Sequence, residues 1–197
     1  MSILYHGSEQ ENLSVIKPNI STHGKKYVYA TKYWNIALVF LSRWNDFLLT
    51  LGTDIVNNKL KITLVERHKN IVEKIYSKKS GVIYKLNSEN FRQEKDMWEF
   101  EYISEHDEKP ISCKIIKNIL DEIVTLNKNG EIQIFYYPNR PKNIPKDDSD
   151  MISKCIELYQ LSGNIHNALY CVENFPRLKE KITQKFKNEF NIDLWEL

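Results

Sequence analysis

Gly24-Lys25-Lys26-Tyr27-Val28-Tyr29-Ala30-Thr31 is the stretch on which the fold turns. Its Tyr-Val-Tyr-Ala run pairs aromatic and β-branched residues behind a glycine, which reads as a short strand. Directly after it, residues 34–51 place Ile36, Ala37, Phe40, Leu41, Trp44 and Leu48 on one apolar stripe, which predicts an amphipathic helix. Working outward, Ile3-Leu4-Tyr5 reads as another short strand running into a polar turn. Further strands are expected at 61–65, 81–86, 98–104, 112–116 and 132–136, with a short helix over 121–126. Strands and helices do not alternate as βαβ units, and no internal repeat is visible, so the expected class is α+β.

The bulk properties exclude several classes of protein. A chain of 197 residues buries enough surface to fold without a metal or a disulfide framework. Twenty-eight Lys and Arg against 26 Asp and Glu give a net charge of +2, too little to point to generic nucleic-acid binding. Cys113, Cys155 and Cys171 are odd in number and form no C-x-x-C pair, so they read as buried reduced thiols. The histidines, among them His23, His106 and His166, lack metal-ligand spacing, so no metal site is expected. The start of the chain shows no basic segment leading into an apolar run, and no stretch has the length of a membrane span. The expectation is a cytoplasmic protein without membrane contact.

A proline cluster, Pro138-Asn139-Arg140-Pro141 followed by Pro145, holds three of the six prolines and reads as a linker. The expected division is a domain over 1–137, a linker over 138–147 and a helical segment over 148–197. In that segment Asp147-Asp148-Ser149-Asp150 offers N-cap chemistry and Gly163-Asn164 a helix stop. A second helix is expected over 165–174 and a third from Pro176. These helices are a candidate partner surface or lid, or plain packing.

Three segments carry candidate chemistry. In Leu4-Tyr5-His6-Gly7-Ser8 a histidine at a strand end precedes a glycine whose missing side chain opens the backbone to a ligand. In the second segment Tyr29 precedes Phe40 by eleven residues, so a strand aromatic and a helix aromatic can sandwich a flat ring. In Trp98-Glu99-Phe100-Glu101-Tyr102-Ile103-Ser104, strand alternation would put Glu99 and Glu101 on one face and the aromatics on the other. A carboxylate there can stabilise a developing cation. Residues 89–109 are acidic, net −5. Residues 59–79 are basic, net +5, and read as a solvated loop or helix face, with a phosphate backbone as the other reading.

In this order the three segments resemble the ADP-ribosyltransferase superfamily, in particular its His-Tyr-Glu class with the diphtheria-toxin-like and poly(ADP-ribose)-polymerase-like enzymes. The early Y-H-G and V-Y-A-T segments are also similar to those of small bacterial rifampin-modifying transferases. The resemblance covers residues 3 to about 117. It implies split antiparallel sheets with flanking helices, and NAD as co-substrate. It implies that His6 binds the adenosine-side ribose, that the Gly7 backbone holds the nicotinamide carboxamide, and that Ser8 assists it. Tyr29 would pack on the nicotinamide, Phe40 would close the sandwich, and Glu101 would be the catalytic glutamate.

Some features stay open at this level. Glu99 makes a Glu-x-Glu, found in arginine-modifying members that begin with arginine rather than with a residue like His6, so Glu99 is a candidate acceptor-orienting residue. Glu105 is an alternative acid if the strand register differs. Lys25, Lys26 and Arg43 are candidates for the diphosphate on charge alone. The expected activity is mono-ADP-ribosyl transfer to a protein, nucleic acid or small molecule. The alternatives are NAD hydrolysis and a non-catalytic binding module that keeps the fold.

Overall fold

A computed structural model describes residues 2–20, 25–95 and 97–194. His23 and Gly24 lie outside the described residues. The described chain is a mixed α+β protein whose order is β1 (Ile3–Ser8), β2 (Asn19–Ile20), β3 (Lys26–Ala30), α1 (Trp34–Val39), β4 (Leu49–Val56), β5 (Lys59–Glu66), α2 (Ile71–Tyr76), β6 (Gly81–Asn87), β7 (Tyr102–Ser104), β8 (Ser112–Ile116), α3 (Ile119–Lys128), β9 (Ile132–Phe135), α4 (Asp150–Ser162), α5 (His166–Asn174) and α6 (Lys179–Phe190). It divides into two compact units at Pro138 and Asn139.

The first unit holds three small sheets, ordered β1-β6-β8, β2-β3-β7 and β4-β5-β9. All neighbours are antiparallel except β5 and β9, which run parallel. Pleating sorts the first sheet. Leu4 and His6 share a face with Leu86 and Tyr84, while Gly7 and Ile83 share the other. Leu4, Val82, Tyr84 and Leu86 bury against Val28 and Ala30 of the second sheet. The opposite side buries Ile83 with Ile36, Ala37 and Leu41 around α1, and with Ile119 and Ile123 of α3.

Among the described residues the backbones of the first two sheets pair through one isolated bridge. The Tyr5 N–H donates to the Thr31 carbonyl at 2.7 Å, and the Thr31 N–H donates to the Tyr5 carbonyl at 2.9 Å. Beyond that point β1 follows β6 and β3 follows β7, so the sheets part there and leave a gap between the two strands. Gly7 is required by packing. A Cβ on it would stand 2.7 Å from the Ala37 carbonyl oxygen of α1 and 3.2 Å from Leu41 Cδ1. Its freedom therefore serves the close approach of helix to strand.

Several expectations are corrected. The helix after Thr31 ends at Val39, far short of residue 51. The Asn45 side-chain oxygen accepts from the N–H groups of Phe47 and Leu48, which turns the chain into β4. Thr50, Thr53, Ile55 and Val56 then favour a strand, and Asn57-Asn58, both with positive φ, close a hairpin onto β5. The apolar stripe misleads because Leu41, Trp44 and Leu48 pack on the core without helical geometry. The basic stretch 59–79 forms β5 and α2, with Lys59, Lys69, Lys74 and Lys78 exposed as a solvated face and Arg67 as the exception, buried with its Nε donating to Thr50 Oγ1 at 2.7 Å.

The expected strand over 98–104 is a strand only from Tyr102. Before it the chain turns, with the Glu101 N–H donating to the Trp98 carbonyl at 2.9 Å. Among the cysteines, Cys155 and Cys171 are buried free thiols but Cys113 is exposed, on the stretch of β8 from Ser112 to Ile115 that is uncovered on both faces.

The second unit starts at Asn139, so the proline cluster belongs mostly to it rather than to a free connector. Within it α4, α5 and α6 bury Met151, Cys155, Ala168, Cys171, Ile182 and Phe186. Gly163 at φ +64° ends α4, the left-handed cap that glycine supplies at least cost. Ser149 makes no side-chain cap. Instead the buried Asp148 carboxylate pairs with Arg140 at 3.4 Å and with Arg177. No helix among the described residues is long and apolar enough to cross a membrane.

Candidate functional site

The gap between β1 and β3 opens into a cleft of about 360 Å³. The strands supply Tyr5, His6, Gly7 and Tyr29, α1 and its end supply Ile36, Ala37 and Phe40, and the turn before β7 supplies Trp98, Phe100 and Glu101. Five of the residues singled out in the sequence, His6, Gly7, Tyr29, Phe40 and Glu101, thus meet in one place.

His6 sits where the sheets part. Its Nδ1 lies 2.7 Å from the Tyr29 carbonyl oxygen, which can only accept, so Nδ1 carries the proton. Burial lowers the His6 pKa, and the Tyr29 hydrogen bond offsets this in part. The ring is therefore neutral, and its Nε2 holds a lone pair able to accept from a hydroxyl. The imidazole also bridges β1 to β3 just past their last backbone contact.

Aromatic rings form one run along the cleft. Phe40, at 40% exposure, caps the end of α1. Its ring centroid lies 5.2 Å from Trp44 and 6.0 Å from Trp98. Trp98 lies 5.2 Å from Phe100, and Phe100 lies 5.4 Å from Tyr33. Such edge and tilted contacts are favourable. Tyr29 enters from the strand side, beside Tyr27 at 5.9 Å. Glu101 is the one carboxylate among the described residues lining the cleft.

Other candidates fall elsewhere. Ser8 is not among the lining residues, and its Oγ accepts from the Gln10 N–H at 3.1 Å. Glu99 does not share a face with Glu101: the turn carries its side chain into solvent, and its carbonyl accepts from Gln93 Nε2. Glu105 is exposed and pairs with Arg92 at 2.7 Å, which draws its carboxyl below the usual range. Lys25, Lys26 and Arg43 are exposed and absent from the lining. The basic side chains of 59–79 also lie outside it. Sequence reasoning misses Trp98 and Phe100 as site residues, because a strand reading places them on the face away from Glu101.

Among the described residues no group of three or more His, Cys, Asp or Glu could hold a metal ion. A scan against protein-family models finds no match, and searches of curated proteins and of solved structures find none either.

Proposed function

We propose that the chain is an NAD-dependent mono-ADP-ribosyltransferase of the His-Tyr-Glu type, with the cleft between β1 and β3 as its active site. One observation carries the reading: residues from three separated stretches, His6 with Gly7, Tyr29 with Phe40, and Glu101, line the same cleft. The two antiparallel sheets, whose backbones pair at Tyr5 and Thr31 and then part, fit the split-sheet architecture that the sequence resemblance implies.

The residues suit this co-substrate. The cleft volume is in the ordinary range for small-molecule sites, about 300–1,000 Å³. Aromatic faces on two sides suit a flat nicotinamide ring. The lone pair on His6 Nε2 suits a ribose hydroxyl. In the reaction the bond from ribose C1′ to the pyridinium nitrogen breaks, nicotinamide leaves with the electron pair, and the sugar becomes oxocarbenium-like. The Glu101 carboxylate, accepting the ribose 2′-hydroxyl, gains attraction as that positive charge grows. It therefore stabilises the transition state more than the bound NAD. The acceptor nucleophile, whether a protein, nucleic-acid or small-molecule group, then takes C1′ and loses its proton.

The test is nicotinamide release from NAD by purified protein. Glu101→Gln is expected to lower it about 10²–10³-fold with unchanged circular dichroism. Release at the parent rate would overturn the assignment. Glu105→Gln, which removes only the surface pair with Arg92, is expected to keep parent activity. With adenylate-labelled NAD, label on a macromolecule marks transfer, and free ADP-ribose alone marks hydrolysis.

A further inference from the structure

We propose that Phe100, held edge-on by Tyr33, is a positioning residue for Glu101, so that an aromatic clamp helps to set the acid just before the sheet ladder begins. This inference rests on the function proposed above. Glu101 precedes β7, and its N–H bonds the Trp98 carbonyl within the turn. The β3–β7 ladder begins one residue later, at the Ala30 and Tyr102 pair. No ladder bond therefore fixes the backbone at Glu101.

Its neighbour in the turn, Phe100, is anchored in the core. Phe100 is 6% exposed and belongs to the core cluster around α1. Its ring meets Tyr33 at the start of α1 edge-on, 5.4 Å between centroids, and Trp98 on its other side at 5.2 Å. Tyr33 is the residue before α1, and its N–H donates to Thr31 Oγ1 at 3.3 Å, so it is anchored close to where the sheets part. The clamp thus refers Glu101 to Thr31, where the backbones of the two sheets last pair. Trp98 continues the run to Phe40 at 6.0 Å, so a ring stacked on Phe40 bears on the turn that carries Glu101.

Displacing a catalytic group by about 1 Å can cost about 10²-fold in rate. Phe100→Leu keeps an apolar filling but removes the ring edges. It is expected to lower kcat for nicotinamide release by about 10–100-fold while KM for NAD changes less than about threefold. Phe100→Tyr, which keeps the ring, is expected to restore most of kcat. In a Glu101→Gln background, Phe100→Leu is expected to lower the residual rate no further, although thermal unfolding shows the same loss of stability in both backgrounds. If Phe100→Leu lowers the rate equally with and without Glu101, or leaves kcat unchanged, the clamp is refuted. If Glu101→Gln itself is fully active, it is the proposed function that fails.

Discussion

At His6 one hydrogen bond fixes the tautomer and burial sets the pH response. Its folded pKa lies below the ordinary value of 6.5 because burial disfavours the charged ring. In the unfolded chain the ring protonates first as pH falls. The contribution of His6 to stability is therefore complete above about pH 6.5 and is lost as pH drops from there toward the folded pKa. Urea melts between about pH 7.5 and pH 5 are expected to show a fall that shrinks in His6→Gln. An unchanged slope in the variant would contradict the burial of a neutral imidazole. The same neutrality predicts that affinity for NAD stays flat through about pH 6.5. At this scale the sequence reads well for His6, Gly7, Tyr29, Phe40 and Glu101, since each sits beside a strand or helix end. It reads poorly for Glu99, because the side to which a carboxylate points depends on whether the backbone is extended.

At the scale of elements, tight contacts decide what a glycine is for. An added Cβ at Gly7 would meet a backbone oxygen of α1, whereas at Gly81 it would meet the Leu41 side chain at 2.8 Å and the Ser8 carbonyl at 2.9 Å. Gly7→Ala and Gly81→Ala are each expected to lower stability by about 1–3 kcal/mol, measured by denaturant melts. Leu41→Ala is expected to relieve part of the Gly81→Ala cost and less of the Gly7→Ala cost, because the backbone at Ala37 cannot retract. Most strands are legible from their β-branched and aromatic runs, including β6, which Gly81, Val82, Ile83 and Tyr84 bury on both faces. The end of α1 is not legible. Val39, Phe40 and Leu41 continue an apolar stripe past the end of the helix at Val39, and the Asn45 side chain then turns the chain toward β4. The turn before β7 is hidden for a similar reason: Trp98 to Tyr102 alternates like a strand, but its large rings pack against α1 and curl the chain.

At the scale of the whole molecule, near-neutral net charge conceals opposite local charges and two separate units. The second unit stands on a buried ion pair as much as on its helices, since Asp148 is fully buried between Arg140 and Arg177. Removing one partner leaves buried charge uncompensated, so Asp148→Ala is expected to destabilise that unit by up to about 3 kcal/mol. Hydrogen exchange should show earlier opening of α4, α5 and α6 with β1, β6 and α3 unchanged; equal opening throughout would contradict the division at Pro138. The first unit carries the proposed chemistry, and its central claim is that two parting sheets hold NAD between Tyr29 and Phe40. The most direct measurement is a crystal structure of the Glu101→Gln protein with NAD bound. Expected are a nicotinamide ring between those two aromatic side chains, a ribose hydroxyl on His6 Nε2, and the substituted side chain at position 101 beside the nicotinamide ribose. NAD lodged outside this cleft would contradict it.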